Sequence, residues 1–155
     1  LEPPEPDVMR RPPRDPEESI VTGKDFKRLT VESAVLSASA LATYGYGVAK
    51  YGTGANASTL AFQGLTLAQL LHAFSCRSER ISIFSKEKLP PNRYLDMALA
   101  ASLGLQVLTM IVPGLRGLLG LTTITLMDAA VIGTSAVVPL LVNEATKTAS
   151  LGSHP

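Results

Sequence analysis

LTLAQLLHAFSCRSER, residues Leu65 to Arg80, decides how the rest of the chain is read. It closes a run without a formal charge from Tyr51 to Cys76, 26 residues long, which Arg77, Glu79 and Arg80 end at once. About 20 helical residues cross a hydrocarbon core of about 30 Å, so the run is long enough to span a bilayer, with this stretch as its cytosolic half. Inside it Gln63, Thr66, Gln69 and His72 recur every three residues. At about 100° per residue they form a stripe that drifts around one side of a helix. A membrane helix turns such a side toward protein, water or an ion path and not toward lipid.

The composition fits that reading. Hydrophobic residues reach 46% while charged residues are 17%, and the charges cluster in residues 1–32 and 77–96, leaving long uncharged runs between. A net charge of +1 gives no argument for a nucleic-acid partner. The single cysteine, Cys76, excludes an internal disulfide and any CxxC metal site. The chain starts at Leu1 without Met and shows no n-region, h-region and cleavage site; it is expected to be a piece of something longer.

Outward from the central stretch, residues 1–16, LEPPEPDVMRRPPRDP, hold six prolines. Proline fixes φ and lacks a donor, so this segment is expected to be an extended link. Thr30 is the expected N-cap of the first helix, with Glu32 in its first turn. The run Ser33 to Ala49 is rich in Ala, Ser and Gly, with Ser33, Ser37, Leu41, Gly45 and Ala49 at spacing four and Ala34, Ala38 and Ala42 beside them. Small residues on one side let membrane helices approach closely. Tyr44, Tyr46 and Tyr51 near its end suit an aromatic interface belt. The third run, Met97 to Leu115, has Asn92 as N-cap and Asp96 in its opening turn, and Pro113 and Gly114 close it. In the fourth, Gly117 to Asn143, Thr125 and Asp128 have the S/T-x-x-D form of a helix start. That places the helix start near Leu126 and Asp128 at the interface, and Pro139 is expected to bend the helix at a cost a bundle tolerates.

Lysines and arginines set the orientation. Residues 1–28 hold six, 77–93 hold five and the tail holds Lys147, against Lys50 and Arg116 in the two opposite links. This asymmetry puts both termini and the middle link in the cytosol. The expected fold is an all-α integral membrane bundle of four antiparallel transmembrane helices with an extended Pro-rich N-terminal segment. Its expected division is a cytosolic link over 1–29 and a four-helix transmembrane domain over 30–155, with spans about 31–50, 57–77, 94–113 and 125–144.

No spacing of Ser, His and carboxylates suggests a hydrolytic constellation. His72 reads as a hydrogen-bonded residue between helices in preference to a metal ligand, and Cys76 as a structural thiol. For Gln63, Thr66 and Gln69 two readings stay open. Their side chains hydrogen-bond neighbouring helices, at about 0.6–2 kcal/mol each, or their oxygens help line a cation path, since hard cations want oxygen ligands. A cation site built by this chain alone would need carboxylates at midplane, and the sequence places none there.

Two stretches carry a family resemblance. PPEPDVMRRPPRDP resembles the cytosolic link after the sixth span of P-type cation-transporting ATPases of the calcium-pump type, and LTLAQLLHAFSCRSER resembles their eighth span and the loop after it. Asn92-Arg93-Tyr94-Leu95 then resembles the start of the ninth span and Leu126-Met127-Asp128 the start of the tenth. The resemblance implies spans seven to ten of a larger pump that moves a cation through an aspartyl-phosphate formed from ATP. The family's DKTG, TGE and GDGxND motifs do not occur in this sequence. The implied role is therefore a support for the moving spans, without catalytic residues or a cofactor of its own. ATP and Mg are expected for the full-length parent, and calcium or manganese as the transported cation. The implied partners are the lipid bilayer and the remaining domains of the same pump; the implied place is the plasma membrane. Aligning His72-Ala73-Phe74 and Ser78-Glu79 with the eighth span puts Gln69 where pumps with two ion sites carry a glutamate, which implies a weak or vestigial metal ligand. A free-standing four-span interaction or regulatory subunit is the alternative.

Overall fold

The computed structural model describes residues 9, 13, 21–77, 83–84 and 90–151. The expected Pro-rich link and most of the charged middle link lie outside the described residues. Among those described there are helices and no strands, in the order α1 (Gly23–Tyr51), α2 (Ala55–Ser75), α3 (Arg93–Ile111), α4 (Pro113–Leu118) and α5 (Leu126–Leu151).

The first helix begins earlier than the apolar pattern suggests. Its N-cap is Thr22, not Thr30: the Thr22 hydroxyl accepts from the Asp25 N–H while the Asp25 carboxylate accepts from the Thr22 N–H at 2.9 Å. This reciprocal pair satisfies two orphan donors at once, so the local cap extends the helix through the charged residues ahead of the apolar run. Thr30 instead sits within α1, its hydroxyl donating to Phe26 O at 2.8 Å. The other starts fall where the caps predict. Asn92 accepts from Leu95 N–H at 3.1 Å, and Thr125 and Asp128 exchange hydrogen bonds ahead of Leu126. Pro113 ends α3 by opening the short α4 at its first position.

α1, α2 and α5 pack together, and α3 leans on α2. Gly52 and Gly54, at φ 80° and 150°, make the tight link between α1 and α2, a conformation that a Cβ would strain. Beyond the link the two helices touch backbone to backbone: a Cβ on Gly47 would stand 2.7 Å from Ala57 Cα. Gly64 makes room for a side chain at the other contact of α2, since a Cβ there would lie 2.9 Å from Ser135 Oγ on α5. The face of α1 that packs is Glu32, Thr43 and Gly47. The two small-residue stripes expected to serve as the contact, through Gly45 and through Ala38, are exposed. Small residues at spacing four occur on several faces of α1, and the backbone contact at Gly47 with the buried carboxylate of Glu32 selects one of them.

Among the described residues two helices, Arg93–Ile111 and Leu126–Lys147, are long and apolar enough to cross a membrane. In α2 the residues that dilute the apolar run are Gln63, Gln69 and His72 of the polar stripe.

Candidate functional site

The polar stripe of α2 does not act as one face. Residues nine apart on a helix differ by about 180°, and Gln63 and His72 accordingly serve opposite neighbours. Gln63 is fully buried against α3. Its Nε2 donates to Thr109 Oγ1 at 3.3 Å, and its Oε1 and backbone carbonyl accept from Gln106 Nε2 at 2.8 and 2.9 Å. Gln106 Oε1 is buried with no hydrogen-bond partner among the described residues. His72 turns to α1, its Nε2 3.8 Å from Glu32 Oε2 and 3.3 Å from Cys76 Sγ. Thr66 bonds its own helix, donating to Phe62 O at 2.8 Å. Gln69, between them, is exposed and makes no hydrogen bond or ion pair among the described residues.

Two charged clusters clasp the ends of the bundle. At one end Asp128, 1% exposed, accepts five hydrogen bonds. Lys50 Nζ at 2.9 Å and Tyr46 OH at 3.2 Å reach Oδ1; Tyr51 OH at 2.7 Å and the Thr125 amide and hydroxyl at 2.8 and 2.7 Å reach Oδ2. The Lys50 ammonium also lies 4.9 Å from the Tyr51 ring centroid, a cation–π contact. The tyrosines expected to form an interface belt thus include two that donate to a buried carboxylate and tie α1 to α5.

At the other end Ser75, Asn143, Glu144 and Lys147 are all buried. Lys147 Nζ donates to Glu144 Oε1 at 2.8 Å and to the Ser75 backbone carbonyl, and Asn143 Nδ2 donates to Ser75 Oγ at 2.8 Å. Ser75 Oγ donates to Glu144 Oε1, and the other Glu144 oxygen accepts from the Ile83 amide at 2.9 Å. Lys147, read from the sequence as part of a cytosolic tail, therefore lies inside α5 and holds it to α2. The E-x-x-K spacing after Asn143 was the available signal: two charges one turn apart continue the helix and pair with each other.

Every cluster joins one helix to another, and among the described residues no group of three or more His, Cys, Asp or Glu could hold a metal ion. Chemically this is a braced helical bundle whose buried charges are matched within the bundle. The comparisons place it. The family model described as "Cation transporting ATPase, C-terminus" matches residues 1–149. The chain is 31% identical to Calcium-transporting ATPase 1 of Bacillus cereus (strain ATCC 10987 / NRS 248), over 96% of this chain and 18% of that protein. To Calcium-transporting ATPase of Bacillus subtilis (strain 168) it is 33% identical, over 88% of this chain and 15% of that protein. The chain belongs to the family of C-terminal regions of cation-transporting ATPases, and it spans less than a fifth of the length of either relative.

Proposed function

We propose that this chain is the support part of the transmembrane domain of an ATP-driven cation pump. In this reading α1, α2, α3 and α5 cross the plasma membrane in alternating directions, with both termini and the middle link in the cytosol. They stand as a fixed buttress beside the spans that bind and move the ion. The cation is calcium or manganese, and ATP and Mg serve the domains of the full-length pump that carry the DKTG loop. The observation that carries the proposal is the family match over residues 1–149, which favours a pump segment over a free-standing subunit. The braced ends of the bundle support it, because charges paired inside the bundle hold the helices in one arrangement.

Gln69 is the residue proposed to approach the ion path. Its exposure on α2 leaves it turned outward from this bundle, where the pump's other spans would meet it. A neutral carboxamide offers an oxygen but no charge to a cation, so it serves as a weak ligand. The test is calcium- and manganese-stimulated ATPase activity of the full-length pump with Gln69→Glu beside it. Added charge at a ligand raises ion affinity about tenfold or changes the stoichiometry; unaltered affinity and stoichiometry would reduce Gln69 to packing.

A further inference from the structure

Among the described residues α3 packs on α2 and α4 alone, and 11% of its apolar stretch is buried. Part of its contact with α2 is apolar on both sides: Leu67, Leu70, Leu71 and Phe74 face Leu99 and Leu103. Such side chains attract without direction. Counted antiparallel from Gln63 opposite Gln106, Leu70 lies level with Leu99. A slip of α3 by about four residues, roughly one turn and 6 Å, brings Leu70 level with Leu103 and Phe74 level with Leu99. The apolar contact survives that slip. The polar one does not, because Gln63 comes level with Met110 and Gln106 with Leu67. We infer that Gln63, Gln106 and Thr109 form a register pin, which stops α3 from slipping a turn along α2 and makes the two helices move as one body.

The hydrogen bonds favour this role over plain stabilisation. Gln106 Nε2 donates to the Oε1 and the backbone carbonyl of Gln63 at 2.8 and 2.9 Å, and Gln63 Nε2 donates to Thr109 Oγ1 at 3.3 Å. Thr109 Oγ1 in turn donates to the Gln106 carbonyl at 2.7 Å, which holds the acceptor in place. All three bonds between the helices are lost together when α3 slips. Yet Gln106 Oε1 stays buried without a partner among the described residues, which costs free energy that an apolar pair at the same place would not. In coiled coils a single buried polar residue likewise fixes register at a cost in stability. The inference rests on the proposed membrane-spanning placement of α2 and α3, since hydrocarbon offers a displaced carboxamide no other partner.

The test places cysteine pairs in the full-length pump, in membranes, with its other cysteines replaced by serine. Leu70→Cys with Leu99→Cys reports the native register, and Leu70→Cys with Leu103→Cys the slipped one. Disulfide yields on oxidation are compared with both glutamines present and with Gln63→Leu and Gln106→Leu together. The native pair is expected to predominate when the glutamines are present. The two leucines are expected to raise the ratio of slipped to native yield about 10-fold, the worth of two or three hydrogen bonds between membrane helices. They are also expected to leave the thermal inactivation midpoint in detergent unchanged, because both partners go together and no new orphan is made. Gln106→Met, close in shape to glutamine, supplies the ratio if the double variant does not fold. An unchanged ratio would overturn the pin and give the register to apolar packing. Absence of both disulfides with the glutamines present would overturn it too, because α3 would not lie on α2. Reaction of a lone Leu103→Cys with a maleimide that needs water would contradict the membrane placement and leave the ratio to judge the pin.

Discussion

Asp128 shows how one side chain can fix two helices. Its carboxylate is the N3 partner of a capping box for α5 and at the same time the acceptor for three side chains at the end of α1. An acceptor removed from a buried site leaves its donors unsatisfied, at about 1–3 kcal/mol. Asp128→Ala is therefore expected to lower the thermal inactivation midpoint of the detergent-solubilised pump by that equivalent. Lys50→Met should cost less, because Lys50 is 34% exposed while Asp128 keeps the Thr125 and tyrosine donors. A midpoint equal to wild type in Asp128→Ala would remove the clasp from the account. The cap half of this arrangement was legible in the sequence, because Thr125-x-x-Asp128 is a local spacing. The clasp half was not, since Tyr46, Lys50 and Tyr51 reach Asp128 across more than seventy residues of chain. Glu32 was hidden for the same reason, and His72, legible as a residue between helices, had no nameable partner until the packing of α1 on α2 brings the two together.

At the scale of the helices, close approach is set by single glycines and not by the most regular stripe. Gly47 meets Ala57 through backbone, which cannot move aside as a side-chain tip can. Gly47→Ala is expected to destabilise the chain in detergent by about 1–3 kcal/mol, the cost of overpacking a close contact. Gly45→Ala, with nothing within 4 Å of the added Cβ, should be neutral or stabilising by up to about 1 kcal/mol, since alanine is the better helix former. Denaturant unfolding followed by circular dichroism checks both, and equal midpoints for the two variants would contradict the assignment of the packed face. Periodicity revealed that α1 carries small residues at spacing four, but it revealed several such rows. Choosing among them requires knowing where α2 lies. The helix starts at Asn92 and Thr125 were readable because a cap is built from residues three apart. The start at Thr22 obeyed the same rule, but it fell outside the apolar run used to look for it.

For the whole molecule, the order of long helices and tight links followed from where charges interrupt the apolar runs. What the chain could not disclose about itself is what meets Gln69 and the exposed stripes of α1, which in the proposed reading are residues on other spans of the pump. The account stands on α1, α2, α3 and α5 crossing the bilayer in alternation. Reporter insertion in the full-length pump, in cells, measures this most directly, with alkaline phosphatase and a fluorescent protein placed in turn after Thr53, Ser85, Gly120 and Leu151. The account predicts phosphatase activity after Thr53 and Gly120 and fluorescence after Ser85 and Leu151. Phosphatase activity after Ser85, or fluorescence at all four positions, would contradict it.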